Sequence, residues 1–135
     1  MQIDVANLRD FADCYTSAWC GQDPAKVAAF FSPTGSLTVN NGVPAVGRDA
    51  ITELARSFMT AFPDLVVRID DLRVQGKVFE YHWTLLGTNT GPGGTGRKVR
   101  IRGFEQWRMG ADGLIASSQG HFDAKEYQRQ LEHGI

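Results

Sequence analysis

The stretch Val99-Arg100-Ile101-Arg102-Gly103-Phe104-Glu105-Gln106-Trp107-Arg108-Met109 decides the fold. Val99, Ile101, Gly103, Glu105, Trp107 and Met109 share one face, and the other face is mostly Arg and Gln. Such period-two alternation marks a half-buried β-strand, because successive side chains leave opposite sides of the pleat. The first face is therefore expected inside, and the Glu105 carboxylate with it. A carboxylate taken out of water needs a partner or shifts toward its neutral form. Glu105 is thus the first candidate for chemistry.

Toward the C-terminus, Asp112-Gly113 predicts a hairpin turn into a strand from Leu114 to Phe122. Asp123 with Glu126 forms a capping box for a last helix through Leu131. Toward the N-terminus, the Gly-rich loop Asn89 to Gly96 follows a strand from Val78 to Thr88, which is entered through Gly76-Lys77. Leu65, Val67 and Ile69 alternate and then change phase to Leu72 and Val74, the pattern left by a β-bulge at Asp70-Asp71.

Farther back, Leu8, Phe11, Ala12, Tyr15 and Trp19 fall at helical spacing, so a helix is expected from about Asp4 to Gly21 with Tyr15 on its buried stripe. Asp23-Pro24 starts a second short helix through Phe30 and Phe31, stopped by Pro33 and Gly35. Ser36 to Val39 reads as a short strand and Asn41-Gly42 as a turn. Gly47 then leads into a third helix with the stripe Ile51, Leu54, Ala55, Phe58 and Phe62, closed by Pro63. The predicted architecture is α+β: three N-terminal helices and a C-terminal helix on one curved, mostly antiparallel sheet. The layers form a single domain over residues 1–135 whose concave space is the natural ligand pocket.

With 135 residues, 42% of them hydrophobic, the chain suits one full core. A net charge of -1 gives no general attraction to nucleic acid or anionic membrane, and Arg97, Lys98, Arg100 and Arg102 read as the solvated face of a strand. Cys14 and Cys20 lie six apart on one helix and point to different sides, so they read as reduced packing residues of a cytoplasmic protein. The start lacks a basic segment followed by an apolar run, and no later stretch has membrane-spanning length. His82, His121 and His133 are far apart and no Cys-x-x-Cys occurs, so no metal is expected. The loop Gly91 to Gly96 lies between strands rather than before a helix, so no organic cofactor is implied either.

The order of elements, with AFPDL (61–65), GTNTG (87–91), GTGRKVRIRG (94–103), DGLI (112–115) and FDAKEYQRQL (122–131), resembles the SnoaL-like polyketide cyclases. These belong to the nuclear transport factor 2-like superfamily, cone-shaped or cystatin-like rolls that include ketosteroid isomerase. The resemblance covers nearly the whole chain. It implies a homodimer, and a cofactor-independent cyclase or isomerase acting on a small hydrophobic carbonyl, polyketide- or steroid-like. By position, Tyr15 and Glu105 match the tyrosine and carboxylic acid with which ketosteroid isomerase donates to an enolate oxygen, the acid being held neutral in that enzyme by its apolar site. In the cyclases the position of Glu105 resembles a pocket-facing histidine. The chain departs from the pattern at two places. The cyclase aspartate falls at Gly120, and the histidine of the GTHTG-type motif is Asn89.

The residues themselves supply the remaining candidates. His121 is the substitute base if its face of the strand turns inward, since a histidine titrates near neutral pH. Uninterrupted alternation groups it with Ile115, Ser117 and Gln119. Asn40 is a candidate to position a water. Trp19, Phe58, Trp83, Gly103, Trp107 and Gln119 complete the expected wall of a pocket for an apolar ligand, whereas His82 is expected on the outer face with Glu80 and Thr84. The rival reading is a non-catalytic ligand-binding or dimeric scaffold module with the same cone.

Overall fold

The computed structural model describes residues 5–135, with side chains from Asn7 onward. In chain order the elements are α1 (Val5–Cys20), α2 (Pro24–Ala28), β1 (Phe31–Val39), β2 (Ala45–Val46), α3 (Arg48–Ala61), β3 (Val66–Gln75), β4 (Val78–Thr88), β5 (Lys98–Met109), β6 (Ile115–Phe122) and α4 (Ala124–His133). The six strands form one sheet in the order β2-β1-β6-β5-β4-β3. Every neighbouring pair is antiparallel except β1 with β6. The expected α+β roll is thus present, as a curved, open mixed sheet with four helices.

Local chemistry accounts for most of these elements. On α1 the stripe Leu8, Ala12, Tyr15 and Trp19 is buried, with Tyr15 fully so. The expected start near Asp4 lies outside the described residues. Asp23 caps α2 by accepting from Lys26 N, with Pro24 at the first turn. Asp123 caps α4 by accepting from Lys125 N and Glu126 N. The β3/β4 register shifts between Ile69 and Asp71, where the phase change predicted a bulge.

Three expectations are corrected. Helix α2 ends at Ala28, and Phe31 opens a strand that runs through Pro33 and Gly35 to Val39. Pro33 lies within the part of β1 where the register to β6 shifts, so its missing N–H interrupts no regular ladder there. Gly35 is needed because a Cβ there would meet Ile115 O at 2.8 Å. The two-residue β2 was not predicted. Cys14 and Cys20 are free but exposed rather than packed inside, although the Cys20 Sγ lies 3.3 Å from Val67 N.

The core lies between the inner face of the sheet and α1, α2 and α3. Trp107 sits at its centre, stacked on Tyr81 at 4.9 Å and edge-on to Tyr15 at 5.2 Å. Helix α4 packs against β5, and its Tyr127 is edge-on to Phe122. The Gln130 amide there bonds both the N–H and the C=O of Arg100.

Candidate functional site

Pairing fixes what stands around Glu105. On β5 it lies opposite Tyr81 of β4 and Gly120 of β6, so these three share the inner face. Glu105 is 8% exposed, and that remnant opens onto a cavity between sheet and helices. The cavity is lined by Trp19 of α1, Leu54 and Phe58 of α3, Leu37 and Val39 of β1 and Val67 of β3, together with Tyr81, Trp83, Leu85, Gly120 and Phe122. It has a volume of about 70 Å³. Among the described residues lining it, Glu105 is the one acid or base able to exchange a proton near neutral pH.

Three neutral donors hold the carboxylate. Its Oε1 accepts from Ser118 Oγ at 2.7 Å, Tyr15 Oη at 3.1 Å and Trp107 Nε1 at 3.2 Å. Its Oε2 receives the second branch of the Tyr15 bond, at 3.2 Å, and no other hydrogen bond from the described residues. Burial pushes the Glu105 carboxyl up from 4.5, while the bonds from Ser118, Trp107 and Tyr15 pull it down by favouring the charged form. The net shift is upward. Tyr15 is raised well above 10.0 by its own burial and by the Glu105 charge, so it remains a donor.

The structure brings Tyr15 to Glu105 but behind it. Tyr15 has no exposure and does not line the cavity, so the two groups form a relay rather than a pair converging on a ligand atom. Tyr81 lends only its ring, because its hydroxyl is 2.6 Å from Thr16 Oγ1, which itself donates to Ala12 O. Trp19, Phe58 and Trp83 take the expected places in the wall. Trp107 and Gly103 lie under it instead. A Cβ at Gly103 would come within 2.6 Å of the Trp83 ring, so the glycine is what lets that ring lie across β5.

His121, Gln119 and Asn40 do not reach the cavity. The β5/β6 register shifts as Arg108 pairs with Ser117 and Met109 with Ile115, leaving Ala116 as an extra residue. Beyond that irregularity Ser118, Gly120 and Phe122 share the side of Trp107, Glu105 and Gly103, and His121 turns outward. Its Nε2 donates to Gln106 Oε1 at 3.0 Å, and its ring packs against Phe104, which stacks on His82. Gln119 donates to Asn40 O, and Asn40 Oδ1 accepts from Phe122 N, joining the end of β1 to β6. Asn89, at the histidine position of the cyclase motif, ties its own loop to Ala61 O and Thr95 N. Sequence reasoning missed Ser118. The signal for it was its place two residues before Gly120, on the same side of the strand.

Among the described residues no group of three or more His, Cys, Asp or Glu gathers to hold a metal ion. No helix there is long and apolar enough to cross a membrane.

An open, curved mixed sheet packed against helices defines a class of small α+β roll proteins. Residues 9–118 match the model of the SnoaL-like domain, so the chain belongs to that family. No curated protein sequence matches the chain. Among solved structures, a candidate SnoaL-like polyketide cyclase from Jannaschia sp. CCS1 is similar at TM-score 0.83 and 16% identity, covering 100% of this chain and 97% of that one. SalBIII, an epoxide hydrolase/cyclase-like enzyme with a role in pyran ring formation in the polyether salinomycin, gives TM-score 0.79 and 16% identity over 93% of this chain and 97% of that one. A protein with a ketosteroid isomerase-like fold from Catenulispora acidiphila DSM 44928, in complex with trimethylamine, gives 0.78 and 16% over 90% and 92%. At these identities the likeness is one of fold.

Proposed function

We propose that the chain acts as one SnoaL-like domain, a cofactor-independent enzyme of the cyclase or isomerase type, on a small hydrophobic carbonyl compound in the cone. The observation carrying this reading is a single carboxyl group at the wall of an apolar cavity, its oxygens held by three neutral donors and its pKa moved upward by burial. A carboxyl so poised exchanges protons efficiently in both directions. Glu105 takes the proton from the carbon beside the carbonyl and returns it to another atom of the same substrate. Tyr15, Ser118 and Trp107 are positioning residues that stabilise the charged form present before the first transfer and restored by the second. The apolar wall excludes water from the intermediate.

Glu105→Gln keeps the shape and the acceptor oxygen but carries no exchangeable acid. With a β,γ-unsaturated cyclic ketone as probe, followed by absorbance of the conjugated product, kcat is expected to fall by about 10²-fold or more with an unchanged circular dichroism spectrum. Full activity in that variant would remove Glu105 from the chemistry.

A second reading, a non-catalytic ligand-binding module, draws support from the absence of a second proton-handling group among the lining residues. The Catenulispora protein of similar fold, in complex with the small molecule trimethylamine, adds to it. Binding of the ketone without turnover by the unmodified protein selects this reading. Either way the half-buried outer row His82, Phe104 and His121 is the proposed homodimer contact. A sedimentation mass of one chain removes that part.

A further inference from the structure

Each glycine in this chain has a backbone or packing reason except one. Of the 15 glycines, Gly47, Gly76, Gly93, Gly96, Gly113 and Gly134 have positive φ. A Cβ on any of the others would meet an atom at 3.2 Å or closer, save at Gly120. There the nearest atoms are Thr38 O at 3.4 Å and Glu105 Cγ at 3.8 Å, ordinary contacts, and φ is not positive. Gly120 sits well inside β6, paired with Glu105 on one side and Val39 on the other. A glycine inside a strand weakens it, and often marks a place where a ligand comes close to the backbone. The residue lines the cavity.

We infer that Gly120 is the specificity-determining residue of the cone: its missing side chain leaves the slot through which the polar end of an apolar ligand reaches Glu105. The inference rests on the reading of the cavity as a ligand site. It also defines the ligand class. Among the described residues no Lys, Arg or His lines the cavity, so a carboxylate or phosphate buried there meets no cation among them. The ligand is a neutral, largely apolar molecule with one terminal carbonyl or hydroxyl oxygen, seated against Glu105 over the bare backbone of Gly120.

The test compares 2-acetylnaphthalene, its hydrocarbon analogue 2-ethylnaphthalene and the anion 2-naphthoate by equilibrium dialysis, with wild type and Gly120→Ala. Wild type is expected to bind the ketone best and the anion least. Gly120→Ala is expected to weaken the ketone by about tenfold, the scale of one methyl group in a fitted pocket, and the hydrocarbon by less than about twofold. Its melting temperature is expected to stay level or rise, because nothing on the backbone requires glycine. Gly103→Ala serves as the contrast and is expected to melt lower, since its Cβ strikes the Trp83 ring and His121 O. Equal ketone binding by wild type and Gly120→Ala overturns the inference while leaving the ligand-site reading intact, and so does a loss of folding in that variant. Failure of wild type to bind any of the three probes overturns the ligand-site reading and the inference together.

Discussion

Glu80 and Glu105 occupy neighbouring positions of the same sheet, one register step apart, yet opposite faces treat them oppositely. Glu80 pairs with Gln106 on the outer face, where His82 Nε2 donates to its Oε1 at 3.1 Å and Gln106 Nε2 lies 3.4 Å from its Oε2. These bonds, the histidine's first, hold its carboxyl below 4.5. Glu105 has more hydrogen bonds and still shifts upward, because burial outweighs three neutral donors. Partner number alone does not set the charge state. Depth of burial and the presence of a chargeable partner decide it, so turning a glutamate to the inner face is enough to move its carboxyl upward.

The largest expected effect tests how far the inner face depends on its packing. Trp107→Ala empties the centre of the core and removes a donor from Glu105, and is expected to cost about 3–5 kcal/mol in urea unfolding. Arg108→Ala, the next residue but on the exposed side, is expected to stay within about 0.5 kcal/mol. Equal losses from the two would break the contrast between the faces.

A smaller effect sharpens the contrast through pH. Glu105 binds its proton more tightly folded than unfolded, so its contribution to stability is complete below 4.5 and is lost as pH rises through its raised folded value. Glu80 is the reverse, its contribution being present above 4.5 and lost as pH falls through its lowered folded value. In melting curves taken across pH, Glu105→Gln should flatten the decline on the alkaline side of 4.5, and Glu80→Gln the decline on the acid side. Both variants altering the same limb would contradict the assignment of the two environments.

Much of this arrangement was legible because its signals are local. The alternation through Glu105, the stripe through Tyr15, the capping box at Asp123 and the bulge near Asp70 are each written within a few residues of one another. The first half of the first strand, from Phe31 to Gly35, was not legible. Pro33 and Gly35 look like a stop, and the strand exists there because β6 lies beside it, a pairing between residues more than 80 positions apart. The outward turn of His121 was hidden for a related reason, since an extra residue at Ala116 reverses every side chain beyond it without altering composition. The same reversal brings Ser118 inside, where its short bond to Glu105 forms.

The sequence by itself determined that one carboxylate would lie on the inner face of a curved sheet, because the two-residue period of a strand couples side-chain order to burial. It also determined the SnoaL-like roll that surrounds this group. Only the tertiary structure decided what meets the carboxylate: Tyr15, 90 residues away in the chain, stands behind Glu105 rather than across the cavity, and bare backbone at Gly120 stands beside it. Such choices depend on how separate elements pack and on the register between strands, and neither is encoded in the local period of any one segment.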